Sequence, residues 1–361
     1  MEIKGAGKMN YRSQIIQDDM ERMFHQIESK EKLYNTTVLI TGASGMLATY
    51  MTYYLMYLNE KDHANIHVLA LVRNEEKAWK KFADFKNEEQ FELLVQDVCE
   101  PIQYIGKIDY IIHTAGNASP HFIMNDPVGI IKANTLGTIN ILETARKAET
   151  KRVLYASTRE VYGKENADVT EIKENIFGAL DPMERRSCYP ESKRISESIV
   201  QSYYYQYGIE SVVVRIAHSY GPGMIIDNDG RVMADFISDI VHGRDIVLKS
   251  KGDAVRAFCY VTDAVAAMFI ALLEGEPAEA YNIANETEPY PIREVAEKLV
   301  QLYPEKGLKV VFDIPKEMSL GYSKMGRVML NTEKIENKGW KVLVNLESGL
   351  KKIIESFEEK L

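Results

Sequence analysis

Cysteine is scarce in this 361-residue chain: Cys99, Cys188 and Cys259 are widely spaced, odd in number and without a CxxC pair. That excludes a disulfide framework or a thiolate zinc site as the organising feature and fits a reducing compartment. Apolar runs approaching the ~20 residues of a membrane helix are missing, so no membrane partner is expected. Positive charge is also short, with 44 Lys and Arg against 53 Asp and Glu and a formal net charge of −9. A nucleic-acid partner would require a basic face and is not expected. An anionic small molecule stays open, because a local group of arginines binds phosphate inside an acidic protein. The opening MEIKGAGKMN is followed by charged residues rather than an apolar h-region, so a secretory signal is not expected and a cytoplasmic location is. His113, His121 and His218 lack metal-ligand spacing, so no metal is expected. Repeats and low-complexity stretches are absent.

What is present is a globular composition, 45% hydrophobic, in a chain longer than one ordinary core usually spans. One large or two intimate domains follow. Apolar Ile15, Ile16, Met20, Met23, Phe24 and Ile27 at helical spacing predict an amphipathic arm helix within residues 1–35. Short apolar, β-branched runs then recur: Thr37 to Ile40, Ile66 to Val72, Phe91 to Val95, Tyr110 to His113, Arg152 to Ser157 and Ser211 to Ile216. Helical segments alternate with them, the clearest over Pro127 to Lys147 and Tyr189 to Tyr207. This rhythm predicts an α/β, Rossmann-type doubly wound parallel sheet over residues 36–217. After about Tyr220 it breaks, and residues 218–361 read mainly as a smaller substrate-binding lobe.

Three groups of residues carry chemistry. TGASGMLA, Thr41 to Ala48, stands between the first strand and its helix. Gly42 allows a tight turn and Gly45 a close backbone approach to a pyrophosphate. The helix start at Ser44, Met46 and Leu47 offers N–H groups and a partial positive charge. At the end of the second strand, where an acid usually holds the adenosine ribose of NAD, Val72-Arg73-Asn74 stands instead. Arg73 either binds a 2′-phosphate, or stacks on adenine while Glu75 or Glu76 serves the ribose, or is a solvated surface charge. NAD is expected ahead of NADP. Asp97 and Val98, after the third strand, are candidates for the adenine amino group. Finally, Tyr189 and Lys193 in CYPESK lie four apart on one helix face. A phenol is a poor base at neutral pH unless cationic neighbours lower its pKa of ~10. With the ammonium of Lys193 and a cofactor charge nearby, Tyr189 is the expected acid/base, and Lys193 also holds the nicotinamide ribose.

TGASGMLA, ASTREVYG, RSCYPESKR, RIAHSYGPGM, DNDGRV and VRAFCYV come in the order found in extended short-chain dehydrogenases/reductases, and the chain resembles that family from Thr37 onward. Within the NAD-dependent epimerase/dehydratase branch it is most similar to UDP-glucuronate decarboxylases (UDP-xylose synthases), then to dTDP-glucose 4,6-dehydratases and uronate 4-epimerases. The resemblance implies a tightly held NAD that oxidises a nucleotide sugar at C4, a change in the 4-keto sugar, and return of the hydride. It implies a homodimer paired through the helix of Tyr189 and the one before it, and a tie to polysaccharide biosynthesis. It makes Thr158, Tyr189 and Lys193 a catalytic triad and Glu160 a further catalytic candidate. It sets Ala115 and Gly116 under the nicotinamide, Asn134 behind the active-site backbone, and Asn117, Ser119, Arg231, Arg256 and Arg327 toward the substrate. This sequence departs from the pattern at Arg159, where relatives carry Ser or Asp, at His218, where many carry Asn, and at Gly223, where Arg is common. Arginine is fixed in charge and cannot protonate a leaving hydroxyl, which weakens 4,6-dehydration. It suits a bidentate clamp on a uronate carboxylate, so Arg159 and His218 are further substrate candidates. The competing readings are a nucleotide-sugar 4-epimerase, a C4 dehydrogenase or NADP-dependent reductase, and a non-catalytic dinucleotide sensor.

Overall fold

The computed structural model describes residues 9–164, 169–314 and 329–358. Seven parallel strands form the main sheet: β1 (Thr37–Thr41), β2 (His67–Val72), β3 (Phe91–Val95), β4 (Tyr110–His113), β5 (Arg152–Thr158), β6 (Ser211–Ile216) and β7 (Glu279–Ile283). Their spatial order is β7-β6-β5-β4-β1-β2-β3, so the chain reverses direction across the sheet between β1 and β4. In open parallel sheets this switch point, at the carboxyl ends of the strands, is where ligands bind. The central strands are buried on both faces, which is why they read as unbroken apolar runs rather than alternating ones.

Eleven α-helices lie among the described residues, and nine of them frame the sheet and its loops: α1 (Gln14–Gln26), α2 (Met46–Asp62), α3 (Glu75–Trp79), α4 (Pro127–Lys147), α5 (Cys188–Tyr207), α6 (Val232–Val241), α7 (Val261–Glu274), α8 (Ile292–Leu302) and α9 (Leu346–Glu358). The N-terminal helix is not a separate arm. Ile16, Met20, Met23 and Ile27 are buried against α2 and α7, each side chain contributing ~1.5–3 kcal/mol relative to exposure. Its buried Asp19 accepts from the Tyr50 hydroxyl (3.1 Å), the Tyr260 hydroxyl (2.8 Å) and the ammonium of Lys352 on α9 (2.7 Å). One carboxylate thus ties both ends of the chain to the core.

The segment after Tyr220 is also less separate than its broken rhythm suggests. β7 pairs in parallel with β6 and completes the sheet, and α7, buried along nearly its whole length, packs beneath it. An all-round apolar helix such as α7 shows no amphipathic period, which is why the rhythm faltered there. No described helix is long and apolar enough to cross a membrane.

Candidate active site

The glycine turn after β1 is held by close backbone contact. Gly42 sits at φ +65°, and a Cβ there would lie 2.9 Å from the Ala115 Cα. The Gly45 N–H donates to the Gly42 carbonyl (2.8 Å), and the Ala43 N–H donates to Leu71 (3.2 Å), setting the turn against the end of β2. Gly45 caps α2, whose first residues Met46 and Leu47 follow Ser44 directly. Across the switch point, the Ala115 N–H donates to the Thr41 hydroxyl (3.1 Å), which ties the loops after β1 and β4 together. His113 lies beneath, bonded to Thr41 (2.8 Å) and Thr138 (3.2 Å). Burial, with the charge of Lys193, drives its imidazole down to about 3, leaving a neutral structural group.

Gly116, at φ +149°, leaves bare backbone where a Cβ would stand 2.7 Å from the Asn134 side-chain oxygen and 3.6 Å from Lys193 Nζ. Asn134 donates to Ser192 (2.8 Å), while its Oδ1 is buried without a donor. Lys193 Nζ donates to the Ala156 carbonyl (2.7 Å) and lies 4.8 Å from the Tyr155 ring centroid. Burial pushes Lys193 down to about 8, against the pull of Glu197. Uncovered glycine backbone, a buried acceptor lacking a donor and a lysine at one focus fit a bound dinucleotide. Among the described residues no group of three His, Cys, Asp or Glu is arranged to hold a metal.

Tyr189 is buried on α5 beside Ile123 and Ile130. Burial raises its phenol well above the ordinary value and the charge of Glu160 adds to that. Thr158, Arg186 and Arg231 are the groups that oppose it, rather than the Lys193 expected from spacing alone. Arg186, which the sequence reading missed, grips Glu160 with both guanidinium nitrogens, one at 2.8 Å. Its signal lay only in its place, three residues before Tyr189. Arg231 grips Asp229 in the same two-pronged way. The Ser119 hydroxyl donates to the Asp229 carbonyl (2.9 Å) and the Ser119 N–H to Asn117 Oδ1 (3.0 Å), latching the loop after β4 to the one before α6.

A second group gathers beside Thr158. Arg159 is 9% exposed and places Nη1 3.4 Å from His218 Nε2. His218 adopts φ +48°, rare for a residue with a Cβ. Its imidazole is driven down to about 3 by burial and by the charges of Arg159 and Arg256, while Arg256 donates to the Val255 carbonyl (2.9 Å). Gly223 has a local explanation: at φ +84°, a Cβ there would run into the sulfur of Met9 from the N-terminal segment.

At the far end of the cleft Arg73 is exposed, 3.9 Å from Asp97. Asp97 accepts from the Cys99 N–H (2.9 Å), and Val98 packs where a Cβ on Gly137 would stand (2.9 Å). Arg327 lies outside the described residues. The three groups are thus the glycine loops with Lys193; Thr158, Tyr189, Glu160, Arg186 and Arg231; and Arg159, His218 and Arg256.

The model of the NAD dependent epimerase/dehydratase family matches residues 38–284. UDP-glucuronic acid decarboxylase 6 of Arabidopsis thaliana is 34% identical over 333 residues, covering 91% of this chain and 90% of that one. UDP-glucuronic acid decarboxylase 1 of Xenopus tropicalis is 34% identical over 329 residues, 90% of this chain and 72% of that one. Among solved structures, the UDP-glucose 4-epimerase of Thermotoga maritima superposes with a TM-score of 0.73 at 22% identity, covering 89% of this chain and 98% of that one. The dTDP-glucose 4,6-dehydratase of Bacillus anthracis in complex with NAD gives 0.71 at 19%, covering 90% and 96%.

Proposed function

The chain belongs to the NAD dependent epimerase/dehydratase family, and on that footing we propose that it is a nucleotide-sugar enzyme of the UDP-glucuronate decarboxylase type, working through a 4-keto sugar. A bound nicotinamide dinucleotide supplies the oxidant and reductant for C4. NAD is the expected form, and Arg73 raises NADP as the alternative. Gly42, Gly45 and Gly116 leave room for it, and Lys193 would hold its nicotinamide ribose.

In this reading Tyr189 takes the proton of the sugar C4 hydroxyl and later returns it, with Thr158 beside its phenol. The phenol is buried and raised, so Arg186, Arg231 and the charge of a bound cofactor are what make it competent. A C4 ketone makes a C6 carboxylate that of a β-keto acid. The carboxylate leaves as carbon dioxide, its bonding pair passes through C5 to the ketone oxygen, and C5 is then reprotonated. That proton would come from water, which the carboxylate of Glu160, fixed by Arg186, would orient toward C5. Ser119 and Asn117 shape the loop over the sugar.

The observation that carries the uronate reading is the convergence of half-buried His218 and Arg256 on buried Arg159, which directly follows Thr158. Guanidinium groups there bind anions, and the anions of such a substrate are its C6 carboxylate and its diphosphate. The protein is further proposed to work as a homodimer paired through α4 and α5. Those helices expose Val128, Ile131, Leu136, Ile195, Tyr205 and Tyr207. Light scattering at micromolar concentration tests it, and a monodisperse monomer ends it. Incubation with UDP-glucuronate tests the reaction. Carbon dioxide and a pentose nucleotide are expected, an epimer of unchanged mass would favour the 4-epimerase alternative, and turnover of neutral hexoses alone would sink the uronate assignment.

A further inference from the structure

The backbone around His218 is pinned at two points. The Ala217 N–H donates to the Ile283 carbonyl at the end of β7 (3.0 Å), and the His218 carbonyl accepts from the Cys259 N–H (3.2 Å). Beyond it, Ser219–Tyr220 pairs in parallel with Cys259–Tyr260. The chain leaves β6 by this route with His218 at φ +48°, a conformation that glycine and, after it, asparagine take with least strain. The backbone therefore gives no reason for an imidazole, and its side chain must supply one.

The ring packs against Phe258, 5.9 Å between centroids, and its Nε2 faces Arg159 Nη1 at 3.4 Å. A guanidinium has donors only, so Nε2 is the acceptor and the ring proton sits on Nδ1. Burial and the charges of Arg159 and Arg256 drive the imidazole down to about 3, which keeps that lone pair free of a proton at neutral pH. Arg159 is held at its backbone end as well. The Thr158 hydroxyl accepts from the Glu160 N–H (3.3 Å) and caps the short turn Arg159–Tyr162. What its long side chain still requires is a partner that fixes the head, because an arginine left free spreads over many rotamers.

We infer that His218 is a positioning residue for Arg159: its Nε2 accepts from Nη1 and aims the guanidinium fork at the substrate carboxylate, so the two residues select the substrate as a unit. The inference rests on the uronate reading above and adds to it a residue that acts through another. Either departure alone would be a mismatch. An asparagine at 218 ends its amide where the ring has Nδ1, one atom short of the Nε2 position. A serine or aspartate at 159 offers no guanidinium for the imidazole to accept from.

The test is calorimetric binding of UDP-glucuronate and UDP-glucose to the full-length protein carrying Tyr189→Phe, which blocks turnover. The parent should bind the uronate more tightly than the hexose. Adding His218→Asn should lower that preference roughly tenfold, the scale of one hydrogen bond to a charged group. His218→Gln, whose amide reaches the Nε2 position, should hold it within about threefold. On top of Arg159→Ser, His218→Asn should change it by less than about twofold, because the partner is already gone. Asparagine is at ease at this φ, so the urea unfolding midpoint should not drop. A lower midpoint would show that the ring holds the fold rather than Arg159 and would overturn the inference. An unchanged preference in His218→Asn, or an equal loss with and without Arg159, also overturns it, and the uronate reading survives if Arg159→Ser alone still lowers the preference. A parent that binds the hexose as tightly as the uronate, or binds neither, sinks both.

Discussion

Two regions of the candidate site are built in different ways. Around Tyr189 and Lys193, the working groups hang from regular elements: one helix, one strand end and two glycine loops bound to each other through Thr41 and Ala115. Around Arg159, His218 and Arg256, they come from three separate chain segments and meet only in the fold. The first region is rigid because backbone hydrogen bonds define it. The second is defined by side chains and leaves room for residue changes, and Arg159 and His218, two departures from the family pattern, lie in it. A family can keep one chemistry in the first region while altering substrate in the second, and the predictions below probe that division.

Tyr189→Phe should have the largest effect. It removes the proton-transfer group and little packing, so turnover should fall roughly 10²–10⁴-fold with the unfolding midpoint nearly unchanged. Near-normal turnover would end the assignment of Tyr189 and the division with it. Arg159→Ser should act on selection instead. Losing a desolvated charge pair should cost a UDP-uronate about 2–5 kcal/mol relative to the matching neutral hexose, measured as a ratio of kcat/KM values. An equal response of both substrates would mean that Arg159 serves the common diphosphate or the fold.

Lys193 sharpens the contrast through pH. Folding holds it at about 8 against its ordinary 10.5, so between those values the folded protein binds fewer protons than the unfolded chain. Stability should therefore rise with pH across that window, the cost of burying the ammonium being felt in full below it. Relative to Lys193→Met, the wild type should gain about 3 kcal/mol from pH 7 to 10.5 in urea unfolding. Parallel curves would show that the ammonium is solvated. Gly42→Ala should cost about 1–2 kcal/mol of stability from its positive φ and weaken dinucleotide binding, because its Cβ would press on the Ala115 backbone. Unchanged binding would show that the turn is looser than its contacts indicate.

Legibility in the sequence followed the same division. The strand Tyr110–His113 and the helix Pro127–Lys147 were readable to the residue because a buried parallel strand and a capped helix leave local patterns. The Tyr-Lys spacing placed two groups on one helix face for the same reason. Glu160 gave no hint of its grip on Arg186, since nothing local couples residues so far apart in sequence.

The sequence by itself determined the alternating parallel sheet, the glycine turn and the Tyr189–Lys193 face, because each follows from periodicity, backbone sterics or spacing within a single element. Only the tertiary structure decided that Glu279–Ile283 closes the sheet, that α1 is core rather than arm, and that Arg159 meets His218 and Arg256. Those outcomes depend on which surfaces pack together and on the desolvation that follows, and packing between distant segments leaves no local period to read.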